Sequence, residues 1–315
     1  MVAGLTLCPV CERRVESYDA LAGHFSQETA RSDVGHVMWL NRNITKDKNA
    51  APELPRMLSD FFDTRDLGLR RWIKLRFIER FFGQKPHPFV LALQHPSRAV
   101  LLGYVLEHQH FLRQWVRSLS WVLAKTDSPE ATKEELDNIT TEFYGFGADK
   151  PSHYELLIKM GESLGLSRAE ILETPPLPAT ASAIATWQEI GRERHWLETM
   201  AAMHSLELIA NRNVKHEGAR LTYFDPSILK SSEVTEETKA FLWEGYEADV
   251  EHSEVPLEMV ERFANQLLIV DSVQVTFLRS MEAFDSYLMA RLERGMQFDP
   301  DLVAYAQGAS THESQ

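Results

Sequence analysis

The sequence predicts an all-α protein whose helical body follows a small N-terminal cysteine–histidine unit. Apolar residues recur at three- and four-residue intervals through 57–82, 97–125, 130–143, 152–164, 179–212, 235–254 and 255–294. That is the period of helices with one buried face, and no alternation of period two is sustained. The breaks carry helix-stopping residues: Gly83-Gln84-Lys85-Pro86, Gly145-Phe146-Gly147 and Pro175-Pro176-Leu177-Pro178. Ahead of the body, the only two cysteines form one C-x-x-C, Cys8 and Cys11. In a reducing compartment that spacing reads as metal or redox chemistry before structural disulfide.

Length and composition set the frame. A chain of 315 residues with 44% hydrophobic and 25% charged residues can bury one main core and carry an appendage. We expect a knuckle over 1–43, a linker over 44–56, a helical domain over 57–295 and a tail over 296–315. The linker follows from the polar, Pro-punctuated run Ile44 to Pro55, and 308–315 reads as a frayed polar end. No internal repeat or membrane-length apolar run occurs, and the N-terminus lacks the basic start of a signal peptide, so a cytoplasmic location is expected. The net charge of −13 opposes a phosphate-binding surface and removes nucleic acid from the expected partners. A homodimer is compatible with the sequence.

Within the N-terminal unit, Cys8-x2-Cys11-x12-His24 places Val15 and Leu21 where a zinc finger of the Cys2His2 family keeps its core apolar residues, and the unit resembles that family. Two thiolates and an imidazole suit tetrahedral Zn²⁺, and so short a segment needs such a staple. The family's second histidine falls three to five residues after the first, but here those positions are Glu28 and its neighbours. His36 is the expected fourth ligand, with Glu28 as the alternative. Arg13, Arg14 and Arg31 are outnumbered by Glu12, Glu16, Asp19, Glu28 and Asp33, so the unit lacks the basic footprint of a groove reader.

In the body, ionisable residues interrupt otherwise apolar helical faces around Glu142, His153, Glu207, Asp249 and His252. Inward carboxylates and imidazoles on separate helices are costly unless something cationic offsets their desolvation, and a metal centre does so economically. Asp249 and His252 are three residues apart and share a helix face. Glu142 and His153 would lie roughly 16 Å apart on one straight helix, but Gly145, Gly147 and Pro151 supply a break that lets His153 fold back. A weaker constellation, Glu107-x2-His110 with His108 between, reads as an exposed or pocket-lining patch. Tyr104, Trp115, Trp121 and Trp187 read as core.

The order of these motifs resembles the heme-oxygenase-like diiron oxidases, relatives of the thiaminase and pyrroloquinoline-quinone synthase folds. The resemblance covers most of 57–295. Glu142 with Gly145 matches the family's E-x-x-G, and His153 with Ser163-Leu164-Gly165-Leu166 matches its second element. Glu207 matches the third, and Asp249 with His252 the end of H-x3-D-x2-H, whose leading position is Gly245. The resemblance implies a seven-helix bundle and the iron ligands Glu142, His153, Glu207, Asp249 and His252, five of an expected six. His204, one turn before Glu207, is the candidate substitute for the missing nitrogen.

The implied activity is O₂-dependent oxidation of a small organic molecule, of the amino-acid, amine or fatty-acid class, by one or two Fe(II), with Zn²⁺ structural in the knuckle. No side chain is nominated as catalytic beyond the ligands. The competing expectation is a metal-poor bundle that binds or regulates through its knuckle, for which Gly245 argues. Metal-free chemistry with a Cys nucleophile is excluded, because both cysteines belong to the knuckle.

Overall fold

The computed structural model describes residues 6–145 and 151–307, with backbone alone at Lys48 and 247–253. A two-residue strand β1 (Thr6–Leu7) pairs antiparallel with β2 (Arg14–Val15), Thr6 opposite Val15. Helices follow: α1 (Tyr18–Ala30), α2 (Val34–Asn43), α3 (Leu54–Phe62), α4 (Leu69–Phe81), α5 (Pro88–Ala92), α6 (Arg98–Lys125) and α7 (Pro129–Tyr144). After the break come α8 (His153–Ser163), α9 (Arg168–Glu173), α10 (Pro178–Glu193), α11 (Trp196–His204), α12 (Glu236–Leu267), α13 (Val270–Met296) and α14 (Val303–Ala306). The fold is all-α, as the periodicity predicts. No helix among the described residues is long and apolar enough to cross a membrane.

Local signals explain where these helices begin. Ser97, Ser128, Ser152 and Thr235 each accept a backbone N–H of the following first turn and cap α6, α7, α8 and α12. The ends depart from the periodic segments in three places. The 57–82 segment is divided, because the chain turns at Gly68 with φ 76° before α4. The 179–212 segment breaks at His195, which caps α11. Conversely, α12 runs through Pro256 as one helix and stops at left-handed Leu268, φ 56°. A proline costs an interior helix one hydrogen bond and a clash, about 3 kcal/mol, and here the packed face of Leu257, Val260 and Ala264 outweighs it.

Helices α6 and α13 form the axis of the bundle. They cross closely at Gly103, where an added Cβ would lie 2.2 Å from the Arg291 carbonyl oxygen. The knuckle packs directly on this body: Trp39 stacks on Phe62 at 6.2 Å, and Arg42 pairs with Asp285 on α13 at 2.6 Å. The expected linker is a 3₁₀ turn, Lys48–Glu53, leading into α3. Part of the expected tail is also structured, with Leu302 buried beside α13 ahead of α14.

Candidate metal centres and the central cavity

The knuckle brings four ligand types to one point. Cys8 and Cys11 sit on the turn between β1 and β2, closed by the Cys8 N–H donating to the Arg13 carbonyl at 3.0 Å. His24 comes from α1 and His36 from α2. Cys8 Sγ lies 3.5 Å from His36 Nε2, Cys11 Sγ 3.2 Å from His24 Nε2, and the two Nε2 atoms are 3.2 Å apart. Bonds of about 2.3 Å to sulfur and about 2.0 Å to nitrogen give tetrahedral edges of about 3.3–3.8 Å, so the four groups fit one zinc ion.

The electrostatics agree with that fit. Burial pushes the Cys8 thiol up to about 11, and burial, then the neighbouring His36, lowers His24. Both trends reverse with a cation between them. Asp33 caps α2 and holds His36 Nδ1 at 2.6 Å, which leaves the Nε2 lone pair directed at the cluster. Glu28, the alternative ligand, lies instead beside His24 Nδ1 at 3.9 Å and pairs with Arg31 at 3.0 Å. It supports the outer side of the site.

In the body, Glu142, His153, Glu207 and Gly245 line one cavity among α6, α7, α8, α12 and α13, with about 640 Å³ of space between atoms when its opening to solvent is included. Gly145, φ 83°, ends α7, and His153 opens α8, bringing its Nδ1 to 3.3 Å from Glu142 Oε1. The fold-back thus joins Glu142 and His153; Gly147 lies outside the described residues. Burial works against charge on His153, yet Glu142 overrides it and raises the pKa. Asp249 and His252 have side chains outside the described residues. At Gly245 a Cβ would meet only Ala210 at 3.8 Å and His153 Nε2 at 4.0 Å, so the position opens on the cavity.

Glu207 lies in a 3₁₀ turn, Ser205–Ile209, just past α11. Its Oε1 accepts from Asn138 Nδ2 at 3.2 Å and its Oε2 is 3.0 Å from His204 Nδ1. Asn138 in turn accepts from Trp115 Nε1 at 3.2 Å. The other nitrogen of His204 is 3.1 Å from Glu135 Oε1, so both ring nitrogens face carboxylates. Burial opposes charge on His204, but Glu135 and then Glu207 raise its pKa well above the ordinary value. His204 is thus held between two carboxylates, which favour its protonated form. Among the described residues, only the knuckle brings three or more potential ligand groups within 4.8 Å of one another.

The remaining expectations separate. Glu107 is fully buried, pairs with Arg294 Nε at 2.7 Å and accepts the Leu177 N–H, so it clamps α6 to α13 rather than forming an exposed patch. His110 contacts the Thr174 carbonyl at 3.0 Å. His108, Tyr104 and Trp115 line the cavity, and Trp187 is core. Trp121 is 37% exposed, because it rests on the outside of α10 against Gly191.

Sequence reasoning missed a second polar cluster on the cavity wall, centred on Arg291. Its Nη2 donates to Tyr287 Oη at 2.6 Å and to His108 Nδ1 at 2.7 Å, and its Nη1 donates to Tyr223 Oη. Tyr104 and Tyr287 rings flank the guanidinium carbon at 4.3 and 4.4 Å. The available signal was Tyr287 and Arg291 at i,i+4 within an apolar stretch of α13.

Comparisons with known proteins bear on both parts. A C2H2 type zinc-finger family matches residues 5–63 in one copy, reaching through α3. No curated protein matches the chain. A domain of unknown function with a heme oxygenase-like fold from Shewanella denitrificans superposes with TM-score 0.54 at 18% identity, over 78% of this chain and 97% of that one. A TenA homolog from Pseudomonas syringae gives 0.50 at 14% identity, over 77% and 92%. A CADD-like protein of unknown function from Nostoc punctiforme gives 0.50 at 14%, over 73% and 96%. At these identities the likeness establishes the fold, a heme oxygenase-like helical bundle. Since the family profile covers residues 72–294, the whole of the cavity-forming body, the chain belongs to the TENA/THI-4/PQQC family.

Proposed function

We propose that this protein is a non-heme iron-dependent oxidase or oxygenase that acts with O₂ on a small organic substrate, with a structural Zn²⁺ in its knuckle. One observation carries the reading: Glu142, His153 and Glu207, from three separate elements, line one cavity. Their oxygen and nitrogen donors suit Fe(II), which when bound supplies O₂ activation. The 3.3 Å between Glu142 Oε1 and His153 Nδ1 is close to the edge of a coordination polyhedron with bonds of about 2.1 Å. Asn138 and His204 hold the Glu207 carboxylate in one orientation while each of its oxygens keeps a second lone pair. The aromatic walls, including Phe111, Trp115 and Phe241, limit water around these groups. The net charge of −13 supports a small-molecule substrate over nucleic acid.

A second reading, a metal-poor bundle that binds or regulates, is favoured by Gly245, which offers no ligand, and by His204, which is held by two carboxylates. Metal content separates the two. Protein purified without oxygen is expected to hold about one zinc and at least about one iron per chain and to consume O₂ once substrate is supplied. Cys8→Ser with Cys11→Ser should remove the zinc and leave the iron. Zinc alone, with no uptake of added Fe(II), would give the second reading precedence.

A further inference from the structure

Arg291 is 2% exposed, yet no carboxylate lies within 4.0 Å of it among the described residues. A buried cation without an anion is costly, and proteins rarely keep one without use. Three of its five N–H donors go to Tyr223, Tyr287 and His108, all neutral acceptors. Its Nε has no partner among the described residues. The neighbouring Glu107 does not serve, because Arg294 and the Leu177 N–H take its oxygens.

His108 extends the argument. Its Nδ1 accepts from the guanidinium, so the ring is neutral with its proton on Nε2. That makes Nε2–H a second donor on a ring that lines the cavity. Phe241 touches the rings of both His108, at 5.8 Å between centroids, and His153, at 5.1 Å. One aromatic ring therefore spans the Arg291 cluster and the Glu142–His153 pair.

We infer that Arg291, assisted by His108, is the docking point for a substrate carboxylate in this cavity. The ligand class is a small monocarboxylate with an apolar stem. One guanidinium balances one negative charge, and its Nε–H and second Nη1–H are not spent on Tyr223, Tyr287 or His108 and can make charge-assisted bonds to a carboxylate. Tyr104 and Phe241, in ring contact with each other and on to His153, offer an apolar path towards His153. The inference rests on the oxidase reading only for the cavity being the reaction site.

The test uses the full chain prepared without iron but with its zinc, and measures calorimetric binding of hexanoate and 3-phenylpropanoate against their primary amides. Wild type is expected to bind the acids at least about ten-fold more tightly than the amides, as for a charge-assisted hydrogen-bonded pair. R291Q should erase that preference and R291K should keep part of it. Equal binding of acid and amide, no binding of either acid, or a preference retained in R291Q would overturn the proposal. If R291Q does not fold, His108→Phe decides: acid binding should fall about three-fold or more and amide binding by less, since only the bond to the acid is charge-assisted, and an unchanged acid preference counts against the site. Because these titrations need no iron, an acid preference without iron uptake would defeat the oxidase alone. Iron uptake without an acid preference would defeat the subsite alone.

Discussion

Asp33 makes the knuckle reading quantitative, since it performs two separable tasks. Its Oδ1 accepts the His36 backbone N–H at 3.0 Å, capping α2, and holds His36 Nδ1 at 2.6 Å. That second contact lowers the Asp33 pKa, keeps the proton on Nδ1 and leaves Nε2 for the metal. In Asp33→Asn the helix would still be capped, because the side-chain carbonyl of asparagine accepts as well, but the charge that strengthens the imidazole as a donor to zinc is lost. Loss of such an outer partner weakens metal binding about 10- to 100-fold. Asp33→Asn is therefore expected to shift the zinc affinity by that factor, with helicity unchanged, as read by competition with a chromophoric chelator. Asp33→Ala should be weaker still and should fray α2. Zinc affinity in Asp33→Asn within about two-fold of wild type would refute the assignment of His36 Nε2 as ligand.

Three further outcomes are expected. Glu142→Ala and Glu207→Ala should each lose iron from anaerobically purified protein. Glu207→Ala should also cost about 1–3 kcal/mol in urea unfolding, because Asn138 and His204 lose their acceptor; iron retained at the wild-type level would remove that residue from the site. Gly245→His has room for its Cβ and should raise bound iron from about one to about two per chain, counted by elemental analysis; an unchanged count speaks against a vacant ligand position there. His87 is 4% exposed, and burial depresses its pKa from 6.5 to about 4. The unfolded chain therefore binds the extra proton between those values, so this stability is complete above pH 6.5 and is lost as pH falls towards 4. Unfolding free energy should drop by about 2 kcal/mol between about pH 7 and about pH 5 from this group, a loss that His87→Asn should not show.

Much was legible before any coordinates. Helical periodicity, serine caps and glycine stops are local signals, read over a few residues, and they predicted an all-α body with most of its breaks. Three of the four clustered knuckle groups were legible because the spacing of Cys8, Cys11 and His24 is a one-dimensional metal-site pattern, whereas the choice between His36 and Glu28 waited on α2, which brings His36 to the cluster. The motif order likewise nominated Glu142, His153 and Glu207, which the fold gathers on one cavity.

Other features depended on long-range packing. The continuity of α12 through Pro256 rests on a buried face that outweighs a local penalty. Glu107 read as part of an exposed or pocket-lining patch until α13 supplied Arg294, and only the fold sets Glu135, 69 positions away, against the second nitrogen of His204. Arg291 gave the weakest sequence signal, one cation in an amphipathic helix. Its meaning comes from the lack of a carboxylate partner among the described residues, and the absence of a neighbour is a property of three-dimensional packing that no local pattern encodes.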